Sequence, residues 1–237
     1  RIVFMGTPEF AVASLAALVN AGYNIVAVVT APDKPSGRGM KMNESAVKKY
    51  AMEKGLFILQ PARLKAPEFI EALKAVKADL QIVVAFRMLP ETVWNMPPMG
   101  TINVHGSLLP QYRGAAPINW AVINGENETG VTTFKLKHEI DTGNILLQER
   151  IPIGENETAG EVHDRMKEVG AQLLVKTVEG LITGSIHEQE QPAQSSALKH
   201  APKIFTETCK IDWTKGTDEI YNLIRGVAPY PAAFTVL

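Results

Sequence analysis

The stretch Thr101 to Trp120, TINVHGSLLPQYRGAAPINW, gathers an amide, an imidazole and several backbone-bending residues into one short passage. Successive side chains of a β-strand point to opposite faces, so Asn103 and His105 share one face while Ile102 and Val104 share the other. An asparagine amide can donate to a developing oxyanion, and an imidazole, with an ordinary pKa of about 6.5, can take up a proton near neutral pH. The bland alternative is a satisfied structural histidine beside an asparagine that caps a turn. Gly106 ends the strand, and Pro110 breaks the segment after it. Ser107, Leu108, Leu109 and Pro110 therefore read as a loop at the strand's carboxyl end, where open α/β sheets place ligands. No G-x-S-x-G elbow surrounds Ser107, so a serine hydrolase is not indicated. Asp141, on a separate loop before Thr142 and Gly143, has two readings: a turn residue bonded to nearby backbone, or a carboxylate that orients the imidazole.

The elements that must hold these groups alternate between strand and helix. Arg1 to Met5 is a short run of β-formers, Gly6-Thr7-Pro8 turns it into a helix reaching Asn20, and Asn24 to Thr30 is a second apolar strand. This β-α-β opening predicts an α/β fold with a mostly parallel sheet. Its first turn lacks G-x-G-x-x-G, so a nicotinamide cofactor is not indicated. The pattern continues with helices over 44–54 and 67–77, a short strand over 56–59 and a buried strand over 80–86. A helix over 117–124 comes next, then strands over 129–137 and 144–152 and one amphipathic helix over 158–182. Residues 31–42, with two Pro, two Gly and the cations Lys34, Arg38 and Lys41, read as an exposed loop able to reach phosphates or simply to be solvated. Residues 184–202 are polar and read as an interdomain connection.

Composition narrows the class. The chain has 237 residues, 46% hydrophobic and 21% charged, with a formal net charge of −1, as an ordinary globular protein does. No apolar run approaches the roughly 18 residues a membrane span needs, and no leader pattern opens the chain, which predicts a cytoplasmic protein. The single cysteine, Cys209, excludes an internal disulfide framework and a multi-cysteine metal site; no metal is expected. Because the chain opens inside a strand at Arg1, a few leading residues are expected to be absent. His138, His163, His187 and His200 read as exposed.

The string INVHGSLLPQYRGAAPINW, followed by Glu139-Ile140-Asp141-Thr142-Gly143, resembles the formyltransferase family that uses 10-formyltetrahydrofolate. Within that family it is most similar to the branch whose formyl acceptor is initiator methionyl-tRNA. The resemblance implies a Rossmann-like catalytic domain over 1–186, a linker over 187–203 and, from Lys210-Ile211-Asp212-Trp213 onward, the start of a small OB-like barrel over 204–237 that binds tRNA. It places catalysis on Asn103, His105 and Asp141, and the folate pocket on Phe86, Arg87, Met88, Leu89 and the Ser107 to Pro110 stretch, the latter mostly through backbone and shape. It assigns tRNA contact to the basic loop, with Arg38 in its Gly37-Arg38-Gly39 context, and sets Tyr112, Arg113 and Gly114 at the rim that meets the incoming amino acid or tRNA end, Arg113 being equally readable as a surface ion-pair residue. Relatives often read Tyr-Gly-x-x-Leu-Pro after the strand over 80–86; this chain is one residue shorter there and carries Arg87. Two alternatives stand beside this reading: formyl transfer to an amino-sugar nucleotide, and a noncatalytic folate- or nucleotide-binding module.

Overall fold

All five residues of β1 (Ile2–Gly6) are buried, as expected of a strand at the middle of a sheet covered on both faces. The computed structural model describes residues 1–36, 41–192 and 197–236. From β1 the chain runs through α1 (Glu9–Asn20), β2 (Ile25–Val29), β3 (Lys34–Ser36), β4 (Lys41–Asn43), α2 (Ala46–Glu53), β5 (Ile58–Leu59), α3 (Pro67–Ala75) and β6 (Leu80–Val84). It continues with α4 (Glu91–Trp94), β7 (Thr101–His105), β8 (Arg113–Gly114), α5 (Pro117–Ile123), β9 (Glu128–Lys135), β10 (Ile145–Pro152), α6 (Ala159–Thr183), β11 (His200–Ala201) and α7 (Thr217–Gly226). Seven strands form the main sheet in the order β10-β9-β7-β6-β1-β2-β5. β9 pairs antiparallel with both of its neighbours, and the remaining pairs are parallel. The chain winds outward from β1 to β2 and β5, then returns to β6 on the other side of β1. This places the reversal of strand order between β1 and β6, the position where doubly wound sheets open a crevice.

The two faces of the sheet are covered differently. On one, Phe4, Val28, Ile82, Ile102 and Val104 pack with Leu15 and Leu18 of α1 and with Met166 and Leu174 of α6. Burying each such side chain stabilises the fold by roughly 1.5–3 kcal/mol. The 25-residue α6 begins on a capping box, in which the Thr158 hydroxyl accepts from the Glu161 N–H and the Glu161 carboxylate accepts from the Thr158 N–H. It ends at Gly184, whose φ of +70° supplies the left-handed turn that stops a helix. On the other face, α3 and α4 cover β1, β2 and β6 through Phe69, Leu73 and Val93. Over β9 and β10 that helical cover is replaced by a loop, with Leu109 packed on Phe134 and Ile145. Asn103 and His105 lie on this second face, where the helix layer gives out.

Three expectations are refined. The segment over 31–42 carries an antiparallel pair, β3 with β4, while Arg38 lies outside the described residues. The polar connection after α6 is fastened along the body of the fold: Gln189 bridges Ile145, β11 pairs in parallel with β8, and the Trp120 indole donates to the Pro202 carbonyl at 2.7 Å. Beyond it, α7 packs on α5, close enough that a Cβ on Gly226 would meet the Ile123 backbone at 2.9 Å. Where a barrel strand was expected, the described residues show a single bridge, Lys210 to Phe234, with the Ile211 N–H donating to the Phe234 carbonyl. No helix among the described residues is long and apolar enough to cross a membrane.

Candidate active site

A cleft of about 730 Å³ opens at the carboxyl ends of β1, β6 and β7. That volume falls within the range of small-molecule sites. Its walls are Pro8 and Phe10 after β1, Ala85 to Leu89 after β6, Asn103 to Gly106 of β7 and its exit, Gly114 to Asn119, and Leu136 to Asp141. The turn out of β6 is made at Ala85, with φ +47°.

Asn103 is half-buried and faces the cleft, and among the described residues nothing hydrogen-bonds its side-chain amide. His105 is only 7% exposed, its ring nearly perpendicular to that of Phe134. Its Nε2 lies 2.9 Å from the Tyr112 carbonyl oxygen, which can only accept. Nε2 therefore carries the proton, and in the neutral ring Nδ1 keeps the lone pair. Nδ1 lies 3.8 Å from Oδ2 of Asp141, and the same carboxylate oxygen accepts from the Gly114 N–H at 2.9 Å. Asp141 holds φ +54°, a conformation Asp tolerates better than most residues because its side chain can bond locally. The Thr142 hydroxyl closes this turn on the Glu139 carbonyl, and Gly143 lets it pass β9, since a Cβ there would lie 1.5 Å from the Lys135 carbonyl oxygen. The aspartate is thus both a turn residue and a partner of the imidazole.

Residues 1–178 match the formyl transferase family model, and residues 203–237 match the formyl transferase C-terminal domain. The chain belongs to the formyl transferase family. Methionyl-tRNA formyltransferases of Bacteroides fragilis and Phocaeicola vulgatus are 58% and 59% identical to it over 239 and 241 residues, each covering 100% of this chain and 74% of the relative. Among solved structures, an N-formyltransferase from Helicobacter canadensis in complex with folinic acid and dTDP-3-aminofucose shares the fold with a TM-score of 0.71. That match has 24% identity and covers 95% of this chain and 79% of the other.

The remaining residues singled out in the sequence take varied places in this formyl transferase. Phe86, Arg87, Met88 and Leu89 all line the cleft. Arg87 stacks on the Phe86 ring and donates to the carbonyls of Pro61 and Ala62 at 2.8 and 3.1 Å, and burial pulls its pKa downward. Ser107, Leu108, Leu109 and Pro110 are not part of the cleft wall. They form its backing because their polar groups bond inward: Ser107 Oγ donates to the Gln111 carbonyl, the Thr132 hydroxyl donates to the Ser107 carbonyl and accepts from the Leu109 N–H, and the Gln148 amide donates to the Leu109 carbonyl.

Arg113 departs further from expectation. Expected at the rim facing nucleic acid, it is 9% exposed and spends its guanidinium on Oε1 of Gln191, from NH2 at 2.6 Å and Nε at 3.2 Å. Lys34 is exposed in β3, and Lys41 lies in β4. His138 is exposed near Glu91, and His163, partly exposed as expected, also sets its ring at a tilt against Phe10 with 5.1 Å between centroids and forms part of the cleft wall. Thr132, Gln148 and Gln191 carry no sequence signal that marks them as site residues, and nothing in the sequence shows that the Tyr112 carbonyl holds His105. They act through a carbonyl or a long-range bond that local pattern does not encode. The Tyr112 hydroxyl donates to Glu126 at 2.5 Å, and burial together with that carboxylate pushes its pKa up. Burial opposes ionisation of Glu126, but bonds from Lys199 and Tyr112 outweigh it and hold the carboxyl below its ordinary range.

Proposed function

We propose that the protein transfers the formyl group of 10-formyltetrahydrofolate to the free amine of the methionyl moiety of initiator methionyl-tRNA, in the cytoplasm, in the service of translation initiation. The observation that carries this reading is the Asn103 amide, without a hydrogen-bond partner among the described residues, standing beside the His105–Asp141 pair at the mouth of a cleft large enough for a folate. Relatives that bear the methionyl-tRNA formyltransferase name match the whole of this chain, which favours that acceptor over an amino sugar.

The folate supplies the activated one-carbon unit, and the rest is done by side chains of this chain. Asn103 donates its amide N–H to the formyl oxygen as negative charge gathers there, an effect worth about 2.7–4 kcal/mol for such a donor. His105 takes the proton of the attacking amine on Nδ1, the nitrogen left free by the bond from Nε2 to Tyr112. Asp141, fixed by the Gly114 N–H, sets a negative charge beside the imidazolium so formed. Attack forms the new C–N bond and the oxyanion; its collapse breaks the bond from the folate nitrogen to the formyl carbon, and that nitrogen leaves with the proton handed on by the His105 imidazolium. Phe86 to Leu89 supply a largely apolar wall for the pterin, and Ser107 to Pro110 shape the floor from behind. Lys34, Lys41 and Arg38 reach the acceptor arm, and the segment over 204–237 leads into the tRNA-binding domain, with 187–203 as the connection. No metal enters the scheme, and among the described residues no three His, Cys, Asp or Glu side chains converge as a metal site would require.

The test is a formyl-transfer assay with 10-formyltetrahydrofolate, offering methionyl-tRNA, an amino-sugar nucleotide and glycinamide ribonucleotide in parallel. Formylation of methionyl-tRNA alone is the expected result. Preference for the sugar nucleotide would overturn the acceptor assignment, and no turnover with any acceptor despite folate binding would leave only a binding module.

A further inference from the structure

The connection between the catalytic body and the carboxyl-terminal segment carries a side chain whose bonds are all directed at the site. Gln191 lies 50 residues from Asp141 in sequence, yet its Nε2 donates to the Asp141 carbonyl and to the Gly143 carbonyl, both at 2.8 Å. Its Oε1 accepts twice from Arg113. A primary amide has two N–H donors and two acceptor sites, so this one is fully used. The next residue after Arg113 is Gly114, whose N–H holds the Asp141 carboxylate. That glycine is in turn pinned from the connection, because β8 pairs with β11 so tightly that a Cβ on Gly114 would lie 2.4 Å from the Ala201 carbonyl oxygen. The aspartate loop is thus gripped by its backbone from one side and by its carboxylate from the other, and both grips trace to residues after α6.

We infer that Gln191 is a positioning residue for formyl transfer: it holds the Asp141 turn at the distance from His105 that turnover requires, which makes the interdomain connection part of the active-site framework. The turn needs such a hold, since Asp141 sits in the left-handed region and its carboxylate approaches the imidazole only at 3.8 Å. A misplacement on the order of 1 Å at a reacting group can cost roughly 100-fold in rate. The inference rests on the formyl-transfer reading and deepens it.

Gln191→Glu separates this role from a purely structural one. The carboxylate still accepts from Arg113, now as an ion pair, but it has no N–H for the carbonyls of Asp141 and Gly143 and turns negative charge toward them. The expected result is a Tm within a few degrees of wild type and a folate KM within about twofold, with kcat lowered roughly 10- to 100-fold. If Gln191 served only to satisfy Arg113, Q191E would turn over like wild type, and that result would overturn the inference. Gln191→Met, similar in volume and free of hydrogen bonds, removes the same hold without adding charge. It should also lose kcat per folded molecule, and wild-type kcat in folded Q191M would equally overturn the claim. Wild-type protein inactive with every acceptor would instead sink the underlying reaction assignment, so the two failures are distinguishable.

Discussion

Two neighbouring stretches, β7 and the loop that leaves it, use polar residues in opposite ways. In the loop over 107–111 the hydroxyl and carbonyl of Ser107 and the N–H and carbonyl of Leu109 are bonded to Gln111, Thr132 and Gln148. Two residues upstream of that loop, His105 keeps one ring nitrogen without a hydrogen bond, and Asn103 keeps its whole amide free among the described residues. Buried polar groups are normally paired, so a half-buried amide left open toward a cavity marks where a ligand's polar atom belongs. The loop serves as backing that shapes the cleft from behind. What distinguishes the two stretches is whether tertiary partners have already taken up their side-chain hydrogen bonds.

Three substitutions probe that contrast. The largest effect is expected for His105→Ala, which removes the proton acceptor and should lower kcat about 10²- to 10⁴-fold in steady-state formyl transfer. Asn103→Ala should come next, with a loss of about 10²- to 10³-fold in kcat and little change in folate affinity measured by titration. Equal loss of folate binding and turnover would argue that the amide holds the ground state instead. Thr132→Val tests the scaffold: it leaves the Leu109 N–H and the Ser107 carbonyl without their buried partner, at a cost of about 1–3 kcal/mol. The expected fall in Tm is roughly 2–12 °C, since each kcal/mol moves a domain of this size by about 2–4 °C, while kcat stays near wild type. A T132V protein with normal Tm and lost turnover would break the distinction between the two stretches.

The smallest effect belongs to a paired carboxylate near the surface. Hydrogen bonds from Arg165, helped by the Gly154 N–H and opposed by burial, hold the Glu157 carboxyl below its ordinary value of 4.5. A lowered native pKa means the stabilisation is fully present above 4.5 and is lost as pH falls through the folded-state value. Glu157→Gln should therefore cost at most about 1 kcal/mol at pH 7, with Arg165 itself 43% exposed. Urea melts should show the gap closing below pH 4.5. A gap that persists undiminished at strongly acid pH would rule out the ionised pair as its source.

Much of the architecture is legible in the residues because it depends on neighbours in the chain. The β-α-β opening, the long helix closed by Thr158 and Gly184, and the shared face of Asn103 and His105 all follow from periodicity and capping, and the structure reproduces each within a residue or two. Less legible was the segment after α6, whose polarity reads as a free linker although it pairs with β8 and grips the Asp141 turn. Polar composition does not reveal whether a side chain faces water or a set of waiting carbonyls.

The amino-acid sequence by itself determined which groups are capable of chemistry and on which side of β7 two of them stand, because alternation along a strand is a property of the backbone. Only the tertiary structure decided how they are used. The Tyr112 carbonyl selects which nitrogen of His105 holds its proton, Gly114 and Gln191 bring Asp141 beside it, and the 78-residue separation of Arg113 from Gln191 is spanned by folding alone. The physical reason is that a hydrogen bond depends on distance and direction in space, and for partners far apart in the chain both are set by packing.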